Sequence, residues 1–282
     1  IDIIIINGVY LETYTRKDFS VANQSIQRAA HILSLFSYSQ ARLRVSDIAK
    51  ELDLPLGTVH GLVSSLEEVG FLAQAPNSRK YTLGLKLHEL GAIQTATMDI
   101  NQKSSMPVGY LARETGLVGR VGVLERDAVV VTLSTQPLEG GSAARPLVPS
   151  YCSSLGRAIL AHLPEDEVVE HLNHVELVQY TSKTIVDEKA LWNELRLSRQ
   201  RGYAVTSQEL LMHLASIGAP IWAPGCKVVG AVSLNGPPHL IDGEKHKEFA
   251  QMVMDTAGEI SSFMGHHMEP RFKGASQSRS AR

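Results

Sequence analysis

The stretch SDIAKELDLPLGTVHGLVSSLEEVGFLAQAPNSRKYTLG, Ser46 to Gly84, carries two helical patterns back to back. Val45, Ile48, Ala49 and Leu52 recur at the spacing of one helical face, and Val59, Leu62, Val63 and Leu66 do the same further along. Each helix therefore has a single stripe to bury. Ser46 is placed to cap the first, with Asp47 against the positive end of its dipole. Asp53-Leu54-Pro55 stops that helix, because proline pushes the residue before it out of helical conformation. Gly70 closes the second helix, and FLAQ, the polar turn PNSRK and YTLG then read as two short strands whose tip bears Arg79 and Lys80. An upstream amphipathic run, Ile26, Ala29, Ala30, Leu33 and Phe36, supplies the helix on which the pair packs. This order of helix, turn, helix and β-wing predicts a winged helix-turn-helix, whose second helix enters a DNA major groove. A three-helix packing module with no nucleic-acid partner has the same periodicity and is the competing reading. Charge does not separate them. Between Ser20 and Leu90, seven basic residues (Arg28, Arg42, Arg44, Lys50, Arg79, Lys80, Lys86) stand against six acidic ones (Asp47, Glu51, Asp53, Glu67, Glu68, Glu89), a weak balance for a phosphate binder.

At 282 residues the chain is comfortable for two domains. Its formal charge of −2 offers no global attraction to DNA or membrane, so any basic surface is local. Cys152 and Cys226 lie far apart with no C-x-x-C or histidine spacing, which argues against a disulfide framework or a metal site and for a reducing cytoplasm. No cofactor is indicated. No apolar run approaches the roughly 20 residues of a membrane span; IDIIIING is far too short and lacks signal-peptide flanks. Residues 1–20 are expected to be an extension, vector-derived or disordered. The winged helix-turn-helix occupies 21–84, and a linker helix with Leu85, Leu87, Leu90 and Ile93 occupies 85–102. A second domain fills 103–268. The last segment, 269–282, has only Phe272 to bury and reads as a disordered basic tail.

In the second domain a helix is expected from Pro107 to Gly116, followed by a hairpin of LVGRVGVLE and DAVVVTLSTQ turning near Arg126-Asp127. Helices follow around Leu155 to Leu163, Glu165 to Leu172 and Glu188 to Arg201, with strands at Gly202 to Thr206, Ala215 to Ile221 and Lys227 to Asn235. A long helix runs from Asp242 to Met264. Strands and helices mix without strict βαβ alternation, so the predicted class is α+β with a mainly antiparallel sheet.

Several segments, taken in order from about Asn23 to Phe263, resemble the IclR family of bacterial transcription regulators: QSIQRAAHILSLF, DLPLGTVHGLVSSLEEVGFL, the wing ending YTLG, SSLGRAILAHLP, RQRGYAVTSQE, ASIGAPIW and VVGAVSLNGP. The resemblance implies a GAF-like effector-binding domain behind the winged helix-turn-helix. It also implies homodimers or homotetramers on a near-palindromic double-stranded operator, switched by a small carboxylic or aromatic acid. Carried onto this sequence, it places the effector among Cys152, Ser153, Ser154, Thr206, Leu214, Ser216, Ser233, Leu234 and Asn235. The residue chemistry agrees, since free N–H groups at the start of a Ser154 to His162 helix, with nearby hydroxyls, hold a carboxylate. Leu214 and Leu234 would then meet its apolar end. Each serine singly is also explained by capping and turn chemistry. Two departures stand out. Thr206 sits where relatives often carry an acid, which makes the pocket less acidic, and His213 sits where they usually have glycine, either as an extra titratable group or as a surface residue.

The recognition helix departs as well. Where relatives commonly read LPKSTVHRLL, this chain reads LPLGTVHGLV, so three polar positions become Leu56, Gly57 and Gly61. Thr58, His60, Ser64 and Ser65 remain to face a groove, without the forked donor that pairs with guanine. DNA binding is expected to be weak or shape-led, positioned by Arg28, Arg42, Arg44, Ser46, Arg79 and Lys80. Loss of DNA binding is the alternative. A hydrolase is a further one, resting on Cys152 beside Ser153 and Ser154 at a helix start and on eleven histidines as potential bases. No G-x-S-x-G, H-E-x-x-H, Walker or G-x-G-x-x-G motif accompanies them, and no catalytic residue is assigned.

Overall fold

The computed structural model describes the backbone of residues 3–6 and 9–12, and residues 23–37, 39–135 and 147–266 in full. The chain divides into two compact units, Ile1–Gln102 and Lys103–Arg282. The expected tail at 269–282 lies outside the described residues.

In the first unit β1 (Ile3–Ile6) and β2 (Val9–Glu12) pair antiparallel, so part of the extension forms a hairpin where disorder is one of the two expectations. Then come α1 (Gln24–Ser34), β3 (Leu43–Arg44), α2 (Val45–Glu51), α3 (Leu56–Glu68), β4 (Leu72–Gln74), β5 (Lys80–Leu83) and α4 (Leu85–Thr97). The stripes read from the sequence meet in one core of Ile32, Leu35, Leu43, Ile48, Val59, Val63, Leu66, Leu72 and Tyr81. The wing strands form a small antiparallel sheet in the order β3-β5-β4. After α3, the Gly70 N–H donates to Glu67 O (2.9 Å) and the Phe71 N–H to Leu66 O (2.8 Å), the paired bonds of a Schellman stop. Ser46 does not cap α2. The helix already begins at Val45, and the Asp47 carboxylate reaches back to accept the Arg44 N–H at 3.1 Å, which leaves the Ser46 hydroxyl exposed on the first turn.

The second core is built on α5 (Asp99–Thr115), β6 (Val118–Glu125), β7 (Ala128–Ser134), β8 (Leu147–Pro149), α6 (Ser154–Leu160), α7 (Glu165–His174), α8 (Glu188–Arg201), β9 (Ala204–Ser207), β10 (Ala215–Ala223), β11 (Lys227–Gly236), α9 (Pro238–Ile241) and α10 (His246–Phe263). The α5 helix runs through Pro107 instead of starting there. A proline nitrogen forfeits one helical hydrogen bond, and the burial of Val108 and Leu111 along the same helix offsets it. The six strands form one antiparallel sheet in the order β8-β7-β6-β11-β10-β9; β8 is missing from the sequence reading because Leu147–Pro149 is too short for a period.

Strand alternation sorts the sheet into two faces. Cross-strand pairs Gly218↔Ser233 and Ser233↔Arg120 put these residues on one face, together with Thr206, Ser216 and Asn235. The start of α6 presses on this face. A Cβ at Gly218 would stand 2.6 Å from the Ser154 carbonyl oxygen, so only glycine admits the helix so close to the strand. Ile217, Leu234 and Gly119 share the opposite face, where Val108 of α5 packs over Gly119.

Candidate DNA and effector sites

In the first unit, the residues proposed to meet DNA are on the outside. Thr58, His60, Gly61, Ser64 and Ser65 of α3 are exposed, while Val59, Val63 and Leu66 are buried beneath them. A Cβ added at Gly57 or Gly61 would meet nothing within 4 Å, so both glycines leave room for a side chain on the outward face. Two hydroxyls are partly engaged within the helix: Ser65 donates to the Gly61 carbonyl at 3.0 Å, and Ser64 lies 3.5 Å from His60 Nδ1. Arg42, Arg44, Ser46 and Arg79 are exposed; Arg28 and Lys80 are half-buried. Arg44 and Lys80 are direct cross-strand partners. Like charges facing each other across a ladder repel, and an anion such as a phosphate relieves that repulsion.

In the second unit, a cavity of about 390 Å³, counting space open to solvent, lies between the α6 face of the sheet and the segment from Glu209 to Leu214. Cys152, Ser153, Ser154, Thr206, Leu214, Ser216 and Asn235 line it, joined by Arg120 and Glu209 and by an apolar frame including Val131, Val148, Leu155 and Leu210. The loop entering α6 is tied down on all sides. Ser150 Oγ lies 2.7 Å from His171 Nε2, the Tyr151 hydroxyl donates to Val178 O at 2.7 Å, and Ser153 Oγ donates to Pro149 O at 2.6 Å. Burial holds the His171 pKa below the ordinary histidine value, and the Asp127 carboxylate offsets this only in part.

Arg157, 1% exposed, spans the interior behind this loop. Its Nε donates to Tyr151 O at 2.6 Å, and its two terminal nitrogens reach the Glu209 carboxylate oxygens at 2.7 and 2.5 Å. Glu209 is therefore neutralised on the spot. Arg120 is different. Its Nε is sealed from solvent with no hydrogen-bond partner among the described residues, and desolvation pushes its pKa below the usual guanidinium range.

Comparison with known proteins fits this division. Residues 25–76 match the IclR helix-turn-helix domain, and residues 93–262 match the domain described as bacterial transcriptional regulator IclR C-terminal. The chain belongs to the IclR family. The glycerol operon regulatory protein of Streptomyces griseus is 32% identical over 253 residues, covering 86% of this chain and 96% of that protein. The IclR crystal structure from Alicyclobacillus acidocaldarius superposes with a TM-score of 0.75 at 26% identity, over 86% of this chain and all of that one (100%). An IclR homologue from Microbacterium hydrocarbonoxydans, crystallised with 4-hydroxybenzoate, shares the fold at 24% identity and a TM-score of 0.71, over 86% of this chain and 99% of its own.

Of the residues that the IclR resemblance implies for the effector, two stand away from the cavity, and several that line it are engaged within the protein. Ser233 and Leu234 do not line the cavity. Ser233, fully buried, accepts from Asn235 Nδ2 at 2.9 Å, and alternation turns Leu234 to the opposite face. Ser153 caps α6 by accepting from the Gly156 N–H at 3.2 Å, so the expected amide cradle at the helix start is partly used; α6 ends at Leu160, earlier than expected. Thr206 and Ser216 bond each other at 2.8 Å. His213 is exposed and lines no part of the cavity. Thr206 lines the cavity without bringing a carboxylate, and the acid that does line it is Glu209. Sequence reasoning missed Arg120 and Glu209. Glu209 stands in the RGYAVTSQE segment already singled out, whereas Arg120 in LVGRVGVLE is marked by a charge at the centre of an otherwise apolar strand.

Proposed function

We propose that this IclR-family regulator binds a small organic acid in the cavity of its second unit and that the acid switches its hold on operator DNA. The observation that supports this is Arg120, a half-buried guanidinium lining the cavity, whose Nε is sealed from solvent and which has no carboxylate within ion-pair reach among the described residues. Burying an unpaired charge is costly, and an anionic ligand repays that cost in the bound state. The homologue crystallised with 4-hydroxybenzoate lends the acid class support. The working division is a winged helix-turn-helix at 21–84, a linker helix at 85–102 and an effector domain at 103–268.

On the DNA side, α3 enters the major groove with Thr58, His60 and Ser64, while Arg28, Arg42, Arg44, Ser46, Arg79 and Lys80 hold the backbone. One such helix reads too few base pairs to be selective, so a homodimer or homotetramer on a near-palindrome is part of this reading. The linker helix α4 supports it: none of its residues is buried, and Leu85, Leu90 and Ile93 are all exposed. Light scattering should give a dimer or tetramer; a monomer throughout the micromolar range would remove that part. The second reading, a ligand sensor that has lost DNA binding, is favoured by one observation, the lack of any lysine or arginine on α3.

The experiment is a thermal-shift panel of aliphatic and aromatic acids on the full chain. A true effector at about a hundredfold excess over its Kd stabilises by about 2.7 kcal/mol. If no acid raises the Tm at millimolar concentration, the effector assignment falls.

A further inference from the structure

Next to the cavity, though not among the residues that line it, a second atom is in the same condition as Arg120 Nε among the described residues. Ser134 Oγ, on β7, is also sealed from solvent and without a hydrogen-bond partner. Arg120 and Ser134 are direct cross-strand partners, so their side chains share a face with Cβ atoms about 4.5–5.5 Å apart. Two adjacent donors, one of them a permanent cation, are complemented by an oxygen acceptor that carries negative charge. Among the described residues no carboxylate lies within ion-pair reach of Arg120. The only acid lining the cavity among them, Glu209, is already bidentate on Arg157.

We propose that Arg120 and Ser134 form the carboxylate seat of the cavity, and that the ligand is a monocarboxylate with an apolar body. Its charged end lies on β6 and β7, not at the start of α6. This rests on the reading that the cavity binds an organic acid, and it adds which residues decide the class. Because Arg157 and Glu209 cancel, the wall offers one net positive charge. One carboxylate satisfies it. A second would be buried beside Glu209 with no cation left to meet it. The body of the acid then packs against Val131, Val148, Leu155, Leu210 and Leu214.

The test is calorimetric titration of the full chain with benzoate, 4-hydroxybenzoate, phenylacetate and hexanoate, with the corresponding amides and with terephthalate as a diacid. At least one monocarboxylate should bind, with its amide and the diacid weaker by about tenfold or more. Arg120→Gln should weaken the acid by a similar factor and leave the amide nearly unchanged; Ser134→Ala should weaken it less. The ligand-free protein gives an independent readout. Arg120→Met should raise the Tm, because it removes a half-buried, partly desolvated cation whose Nε has no partner among the described residues, whereas replacing a structural arginine lowers it. Equal acid affinities for wild type and Arg120→Gln would overturn the seat and leave the organic-acid reading standing. Terephthalate binding as tightly as benzoate would overturn the monocarboxylate assignment. No binding by any acid would overturn both readings.

Discussion

The outward face of α3 and the inward face of the six-stranded sheet solve opposite problems. On α3 the residues proposed to meet a partner are exposed to water, bear no charge and leave the core beneath untouched; Gly57 and Gly61 have open space around them. On the sheet, the corresponding residues are shut inside the domain, where each polar group must find a partner or remain under strain of desolvation. Arg157 has found one in Glu209; Arg120 Nε has found none among the described residues. A face that meets DNA can therefore be rewritten at little cost to the fold. A face that encloses a ligand cannot, because its polar groups are also structural.

The contrast predicts where substitutions hurt. The largest effect is expected at the buried ion pair: Arg157→Met strands the Glu209 carboxylate in the interior and should lower the stability of the second unit by about 3–5 kcal/mol. The double variant Arg157→Met/Glu209→Leu should recover much of that loss, as denaturant titration would show. Next is Gly156→Ala. Its new Cβ would stand 2.2 Å from the Ser150 carbonyl oxygen and 2.4 Å from Ser150 Cα, so the loop before α6 must move, at a cost of roughly 3 kcal/mol. The outward face should behave differently. Gly61→Arg should leave the fold intact or gain up to about 1 kcal/mol from helix propensity, while tightening binding on a suitable site by about 1–3 kcal/mol. Equal nanomolar affinities with and without the arginine would show that Gly61 does not face the groove. Binding that appears only in the variant would favour the sensor without DNA binding.

The smallest effect concerns pH. Burial depresses the folded-state pKa of both His162 and His171. The unfolded chain therefore binds protons that the native state refuses, so this contribution to stability is complete above an ordinary histidine pKa of about 6.5 and is lost as pH falls through the lower folded values. The Tm of the protein should drop between about pH 7 and pH 5, and the slope should flatten in His162→Gln/His171→Gln. An unchanged slope in that variant would assign the acid sensitivity to other groups.

How far the sequence could be read follows the same division. The recognition helix was legible because its two functions, burying one stripe and exposing the other, share a single period of 3.6 residues; Val59, Val63 and Leu66 point in, and Thr58, His60 and Ser64 point out. The positions of strands along the second unit were largely legible too, because β6, β7, β10 and β11 are long enough to show a pattern. The cavity was not. Its wall draws residues from β6, β7, β8, β9, β10 and β11 and from the loop after β9, and which of them meet depends on cross-strand register. A one-residue choice of face removes Leu234 and keeps Asn235. Arg120 and Ser134 lie 14 positions apart and are brought together only by the ladder between β6 and β7. Ser46 and Pro107 show a smaller limit: a capping residue or a proline marks a helix end only until the neighbouring residues offer another cap, or enough burial to continue.

A regulator switched by its effector couples the two faces. The direct measurement is fluorescence anisotropy of a DNA fragment that the protein itself has selected from a random-sequence pool, titrated with and without a saturating monocarboxylate found by calorimetry. The account predicts that the acid changes DNA affinity by about tenfold or more, in either direction, that DNA changes the acid's Kd by the same factor, and that Arg120→Gln removes the response at that acid concentration while ligand-free DNA binding persists. An acid that saturates the cavity and leaves DNA affinity unchanged would contradict it.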